Sequence, residues 1–198
     1  MKTAFCLDLD GTVTTTEILP CIAAELGLAG EIATLTRLTM DGHIGFEDSF
    51  RLRCAILGTV PAERVREIVA AIPLDEHLLA FIRERKEDCF LVTGNLDIWI
   101  QPIVEICGAR LFSSVATAQD NKVVLHSILN KGTAVTALRK SYERIVAVGD
   151  GANDVPMLRS ADVAIAYGGV HSPAPIAVNA ARYITHEGAT LCNLLRAL

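Results

Sequence analysis

The sequence predicts an α/β protein: a doubly wound parallel sheet interrupted by an all-helical insertion. Three observations predict it. Short, near-continuous apolar runs rich in β-branched residues recur along the chain; runs of that kind suit strands buried on both faces. Segments of helical period separate most of them, the alternation that builds a parallel sheet. Residues 15–72, by contrast, contain no convincing strand.

The first run, "AFCLDL", is followed by Gly11 and then by four helix-like stretches, over about 16–28, 31–41, 46–57 and 62–71, punctuated by Gly30, Gly42 and Pro61. The chain is expected to return to the α/β core near Pro73. This divides it into an α/β core, residues 1–14 and 73–198, and a small helical cap, residues 15–72. In the core, "CFLVT", "RIVAVGD", "DVAIAY" and "RYIT" read as further strands. The stretch "ARLFSSVATAQDNKVVLHSIL" breaks the alternation and reads as a hairpin turning at Asp120-Asn121. Leu191, Leu194, Leu195 and Leu198 share one face of a terminal helix that docks on the core.

Composition narrows the function. The chain is 51% hydrophobic, 21% charged and carries a net charge of -5, so it can bury a sizeable core and is not disordered. No basic run or arginine cluster suggests a nucleic-acid partner. No apolar run approaches the roughly 18 residues of a membrane span, and the N-terminal apolar stretch, broken at Asp8, is too short for a signal peptide. A cytoplasmic location is expected. Six scattered cysteines form no CxxC and no zinc-ligand spacing, and read as core residues. The sequence says nothing of oligomeric state.

Polar residues collect where strands end. Asp8 and Asp10 close the first strand; Thr93-Gly94-Asn95 follows the second; Asp150, Asn153 and Asp154 follow "RIVAV"; Lys131 opens a helix after the hairpin. Ligands of open parallel sheets bind beyond the carboxyl ends of the strands. Acids gathered there repel by about 4 kcal/mol per pair at about 4 Å and an effective dielectric near 20. A hard divalent cation such as Mg²⁺, held by oxygen ligands and a phosphate, offsets that repulsion. A lysine, a hydroxyl and glycine backbone nearby suit a phosphate.

Other readings of these motifs fail. "DLDG" opens like a calcium loop, but a strand precedes it and Val13 follows Thr12. "GDGAND" ends on Asp154, where a dinucleotide fingerprint needs glycine or alanine.

"DLDGT", the threonine after the second strand, the isolated lysine and "GDGAND", in that order, resemble the haloacid-dehalogenase superfamily of phosphotransferases, with its Rossmann-like core. The resemblance implies that Asp8 is the nucleophile, forming an aspartyl-phosphate, and that Asp10 is the general acid and then base. Thr93, with Gly94, and Lys131 would hold the phosphoryl group. Asp8, the carbonyl of Asp10 and Asp150 would bind Mg²⁺, supported by Asp154. The enzyme would be a Mg²⁺-dependent phosphomonoester hydrolase acting on a small phosphorylated metabolite.

Within that superfamily, Glu17 and "MDGHIGFEDSFRLR" resemble the cap of the phosphoserine phosphatase branch. On that pattern Glu17 would bind the substrate ammonium and Arg53 its carboxylate, and Met40 and Phe46 would close over the site; Asn153 is a further candidate for substrate binding. Two structural readings stay open. Thr14-x-x-Glu17 has the form of a capping box, and Arg53 can be a surface arginine. Against the second, Arg53 has no acid three or four residues away and shares a face with Phe46, Phe50 and Leu57; Arg51 can instead pair with Glu47. The chain departs from the branch at Gly11, where serine is usual, and at Asn95, where glycine is usual. Asn95 falls close to substrate, so the alternatives are another small phosphorylated substrate or a phosphotransferase; a non-catalytic protein on this fold would have lost Asp8 or Asp10. The five histidines are scattered and are read as surface or satisfied residues.

Overall fold

The computed structural model of the chain describes residues 2–119 and 122–198. Among them, β1 (Thr3–Leu7), β2 (Cys89–Leu96), β3 (Arg110–Gln119), β4 (Lys122–Ser127), β5 (Arg144–Gly149), β6 (Val163–Tyr167) and β7 (Tyr183–Thr185) form one sheet. The order is β4-β3-β2-β1-β5-β6-β7, and all neighbours are parallel except β3 and β4. β3 and β4 are the arms of the expected hairpin; its turn, Asp120-Asn121, lies outside the described residues.

Between β1 and β2 the chain runs through α1 (Ile18–Ala23), α2 (Ala29–Met40), α3 (Phe46–Leu57) and α4 (Ala62–Ala70), then α5 (Glu76–Glu84). Two expected boundaries are corrected. α1 begins at Ile18 rather than Thr16. Gly30 does not punctuate, because it lies inside α2; Gly27, at φ 69°, makes the break. Left-handed backbone disfavours side chains, and a 3₁₀ turn over Ala24–Leu26 leads into it. Near Pro73 the chain runs back beside the segment that left β1, and it re-enters the sheet at β2 after α5. Thr14 bridges Leu74, Thr15 N donates to Pro73 O at 3.0 Å and Asp75 N to Val13 O at 2.9 Å.

After β2 come α6 (Asp97–Cys107), α7 (Lys131–Leu138), α8 (Val155–Ser160), α9 (Pro175–Ala180) and α10 (Gly188–Ala197). The strand period of two sorts their contacts. Phe5 and Leu7 of β1 join a cluster with Leu78 and Phe81 of α5, Trp99 and Ile103 of α6, and Leu191 and Leu195 of α10. Ala4 and Cys6 face the opposite way, toward Ala134 and Val135 of α7, Met157 of α8 and Ala177 of α9. The first cluster also takes in Ile18, Ile22, Ile32, Phe50 and Val65 from α1–α4, so the helices of residues 15–72 pack into the core of the sheet's larger face. Among the described residues no helix is long and apolar enough to cross a membrane. All six cysteines are free.

Candidate active site

Chain direction changes at β1: β2 and β3 lie to one side of it, β5 and β6 to the other. That switch point opens a crevice at the strand ends. The pairing Leu7↔Val148 puts Asp8 level with the end of β5, and Asp8 N donates to Val148 O at 3.0 Å. Asp8 and Asp150, far apart in sequence, therefore end adjacent strands.

Past Asp8 the chain turns over Leu9–Val13, with Gly11 at φ 77°. Gly11 N donates to Thr14 Oγ1 at 3.0 Å, and Thr14 Oγ1 to Leu9 O at 3.2 Å. Thr14 is thus spent on the turn, and the expected Thr14–Glu17 capping box does not form. Glu17 precedes α1 without a side-chain cap. Asp10 serves instead: its Oδ1 accepts from Ile18 N at 2.7 Å. The turn brings Asp10 over the open end of the helix, which sequence spacing alone does not reveal.

The motif after "CFLV" is not a loop beyond the strand, as expected, but its bulged end. Val92 pairs with Phe112 and Leu96 with Ser114, so Thr93, Gly94 and Asn95 bow outward opposite Ser113 alone. Ser114 Oγ donates to Gly94 O at 2.7 Å. Thr93 Oγ1 accepts from Asn95 N at 3.1 Å, which leaves its own hydrogen free for a ligand.

Lys131 opens α7, where Asn130 Oδ1 caps Gly132 N at 3.0 Å. Its ammonium, 2% exposed, bonds Asp8 Oδ1 and lies 2.5 Å from Asp154 Oδ1. Asp154 Oδ2 accepts from Asp150 N and Gly151 N, each at 3.0 Å. Gly149 is what lets Asp154 fold back, because a Cβ there would lie 2.5 Å from Asp154 Cγ. Burial alone would lower the lysine's pKa; the carboxylates of Asp154 and Asp8 outweigh it and hold the ammonium charged.

Oxygens of Asp8, Asp150 and Asp154 lie within 4.8 Å of one another, and Asp150 Oδ2 is buried without a partner. Burial, then the Asp154 carboxylate, pushes Asp8 up to about 7. Burial, then Asp8, pushes Asp150 well up. A set of hard oxygen donors, short of positive charge and with one oxygen unclaimed, fits a divalent cation such as Mg²⁺. Asp10 turns its carboxylate away from this cluster, toward α1.

Above the strand ends, Glu17, Met40, Phe46, Phe50 and Arg53 enclose a cavity with Asp8, Asp10, Thr93, Gly94, Asn95 and Asn153. Every substrate-contacting residue expected from the sequence lies on that wall. Leu19, Thr36 and Thr39 join them unforeseen; beside the cavity, the Thr12 hydroxyl donates to Asp8 Oδ2 at 3.4 Å. Threonines on a helix carry no sequence signal for such a role. Arg53 is 3% exposed. It donates to Ser49 O at 3.3 Å and Thr36 Oγ1 at 3.0 Å and has no ion pair among the described residues. It is not a surface arginine; Arg51 is, paired with Glu47 at 2.6 Å.

Glu17 Oε1 and Asn95 Oδ1 are buried without partners. Burial, then Asp10, pushes Glu17 up to about 9. His171, exposed, approaches Glu17 Oε1 at 3.4 Å without hydrogen-bond geometry. Phe46 and Asn153 also line a second cavity of about 410 Å³, so the Phe46 ring is a wall between the two.

Comparison with known proteins agrees with this architecture. The haloacid dehalogenase-like hydrolase family matches residues 5–159. A phosphoserine phosphatase from Methanocaldococcus jannaschii is 31% identical over 180 residues, covering 84% of this chain and 85% of its own. A solved phosphoserine phosphatase carrying a phospho-aspartyl intermediate analogue superposes with a TM-score of 0.84 at 27% identity, over 100% of this chain and 98% of the other. A substrate-bound phosphoserine phosphatase complex does so with a TM-score of 0.86 at 27% identity and the same coverage. The family match begins in β1 and ends in α8, taking in every strand-end site described above, and by it this chain belongs to the haloacid dehalogenase-like hydrolase family, on its phosphoserine phosphatase-like branch.

Proposed function

We propose that this phosphatase hydrolyses small phosphomonoesters in two displacements through Asp8, and that L-phosphoserine is its substrate. The observation that carries the choice of substrate is Arg53. A buried guanidinium with no carboxylate partner faces the same cavity as the unpaired acceptors Glu17 Oε1 and Asn95 Oδ1. A ligand bearing both a carboxylate and an ammonium would satisfy all three. The ammonium would also return Glu17 to its charged form, because a neighbouring cation opposes the burial that raises its pKa. The likeness to a substrate-bound phosphoserine phosphatase supports the same reading.

In this mechanism the phosphate rests against the Thr93 hydroxyl, the Gly94 backbone and Lys131. An Asp8 oxygen bonds to phosphorus. The P–O ester bond breaks, its electron pair stays on the leaving oxygen, and Asp10 gives that oxygen a proton. Water then attacks the aspartyl-phosphate and yields its proton to Asp10, which releases phosphate and restores both carboxyl groups. Mg²⁺ would be held by Asp8, the Asp10 carbonyl and Asp150. Asp154 would support them from behind, since its own oxygens are taken by Lys131 and two backbone amides. When bound, the ion supplies positive charge between the carboxylates and the phosphoryl oxygens. Residues 15–72 act as a cap domain on a core of residues 1–14 and 73–198, with Met40, Phe46 and Asn153 excluding water from the intermediate.

The test is phosphate release from a panel of phosphorylated metabolites, with Mg²⁺ and with excess chelator. L-Phosphoserine is expected to lead the panel, chelator to stop turnover, and Asp8→Asn to abolish it while the fold stays intact. A second reading, another small phosphorylated metabolite, is favoured by Asn95, whose side chain occupies space beside Thr93. Turnover of para-nitrophenyl phosphate without any turnover of L-phosphoserine would select it.

A further inference from the structure

Asn95 does more than narrow the cavity. It is 4% exposed in the bulge of β2, and its amide joins two groups the chemistry needs. Nδ2 lies 3.3 Å from Asp10 Oδ2 and 3.5 Å from Thr93 Oγ1. The same residue's backbone N donates to Thr93 Oγ1. The orientation of the amide follows from its neighbour: turned over, Oδ1 would face Asp10 Oδ2, acceptor against acceptor. Asp10 therefore carries one amide donor on each oxygen, Ile18 N from the start of α1 and Asn95 Nδ2 from β2, with the Glu17 carboxyl against it as well. Two donors from different elements set the plane of the carboxyl group. Unused acceptor sites remain on both oxygens for a proton in transit.

We propose that Asn95 is the positioning residue of the acid–base group. It holds Asp10 in the plane from which the proton reaches the leaving oxygen, and it turns the Thr93 hydroxyl toward the phosphate. This rests on the reading of Asp10 as the proton donor. Asn95 itself neither gives nor takes a proton: the ester bond breaks toward the leaving oxygen, and the proton that oxygen gains comes from Asp10.

The two contacts have separable consequences. Loss of the Thr93 contact weakens the grip on phosphate for every ester alike. Loss of the Asp10 contact matters only where the leaving oxygen needs a proton. An alkoxide needs one; a nitrophenolate, stable as an anion, hardly does. A well-placed general acid contributes about 10²–10⁴-fold, and misplacing it forfeits part of that.

The experiment measures kcat/KM of the Mg²⁺-loaded enzyme on ethyl, phenyl and para-nitrophenyl phosphate, none of which has an amino or carboxylate group. This ratio reports phosphoryl transfer to Asp8 however fast the intermediate is hydrolysed. The variants are Asn95→Ala and Asn95→Leu; the second fills the space without a donor. Both are expected to lose roughly tenfold more on ethyl than on para-nitrophenyl phosphate, so that rate depends more steeply on leaving-group basicity. Equal losses across the series, with the melting temperature unchanged, would overturn the proposal, and so would wild-type rates in Asn95→Leu. Asp10→Asn is the control. Should it show no leaving-group selectivity, the assignment of Asp10 as acid fails and the role of Asn95 fails with it; selectivity in Asp10→Asn without selectivity at Asn95 refutes the positioning role alone.

Discussion

Arg53 is a costly residue to bury. Its five N–H donors meet only Ser49 O and Thr36 Oγ1, and burial pushes its pKa down against the pull of Asp10. A buried charge without a partner destabilises the empty protein, and an apolar replacement of similar volume often relieves that. Arg53→Met is therefore expected to raise the melting temperature while weakening recognition. A charge-assisted hydrogen bond contributes about 1.5–3 kcal/mol. Arg53→Ala should thus lower kcat/KM for L-phosphoserine by roughly 10- to 150-fold, and far less for para-nitrophenyl phosphate, which has no carboxylate. Equal losses on the two substrates would make Arg53 structural. This residue was legible in the sequence because its evidence is local: an apolar stripe and no acid within helical reach. Glu17 was read less well. A capping box is inferred from near neighbours, and the turn at Gly11 substitutes Asp10, eight residues before the amide it caps. His171 and Thr36 gave no signal, since nothing in their own neighbourhoods marks them.

The bulge of β2 and the start of α3 are built for each other. A Cβ on Gly94 would lie 2.2 Å from Phe46 Cζ, so the ring can rest on the strand only over a glycine. Phe46 in turn stacks on Phe50, 5.4 Å between centroids. Gly94→Ala is expected to displace Phe46, join the two cavities and depress turnover far more than stability; steady-state kinetics beside thermal denaturation would separate the effects. Asp75 offers the converse case. It caps α5 by accepting from Leu78 N at 2.9 Å, away from the cavity. Asp75→Ala should cost about 1 kcal/mol of stability, read from urea denaturation, with kcat unchanged. Helical spans were readable because periodicity and caps reside in the segment; α3 runs from Phe46 to Leu57 as expected. The bulge was not readable. It exists only as a register mismatch with β3, and register belongs to a pair of strands.

Across the whole molecule, the buried acids around the cavity set the response to pH. Asp8 rises from an ordinary 3.8 to about 7, and Glu17 from 4.5 to about 9. Between those limits each holds a proton when folded and releases it when unfolded, so stability falls as pH rises through the window. Metal-free protein should melt at a lower temperature at pH 8 than at pH 5.5. Saturating Mg²⁺, which competes with those protons, should raise the melting temperature more at pH 8. A metal-free melting temperature that is flat or climbs over that range would contradict the account. The layered α/β architecture was legible because hydrophobic period and alternation are written along the chain. The strand order was not, since crossovers are decided by how helices pack on the sheet. One feature at this scale joins the site to the fold. Residues 15–72 join the rest of the chain where Val13–Thr15 runs against Pro73–Asp75 in a short two-stranded ladder. The two crossings lie side by side like the leaves of a door hinge, so a swing of the helices between them would turn about that ladder. Asp10 is tied to the first helix beyond that ladder, so a swing of α1 would tug directly on the carboxyl group proposed to move the proton.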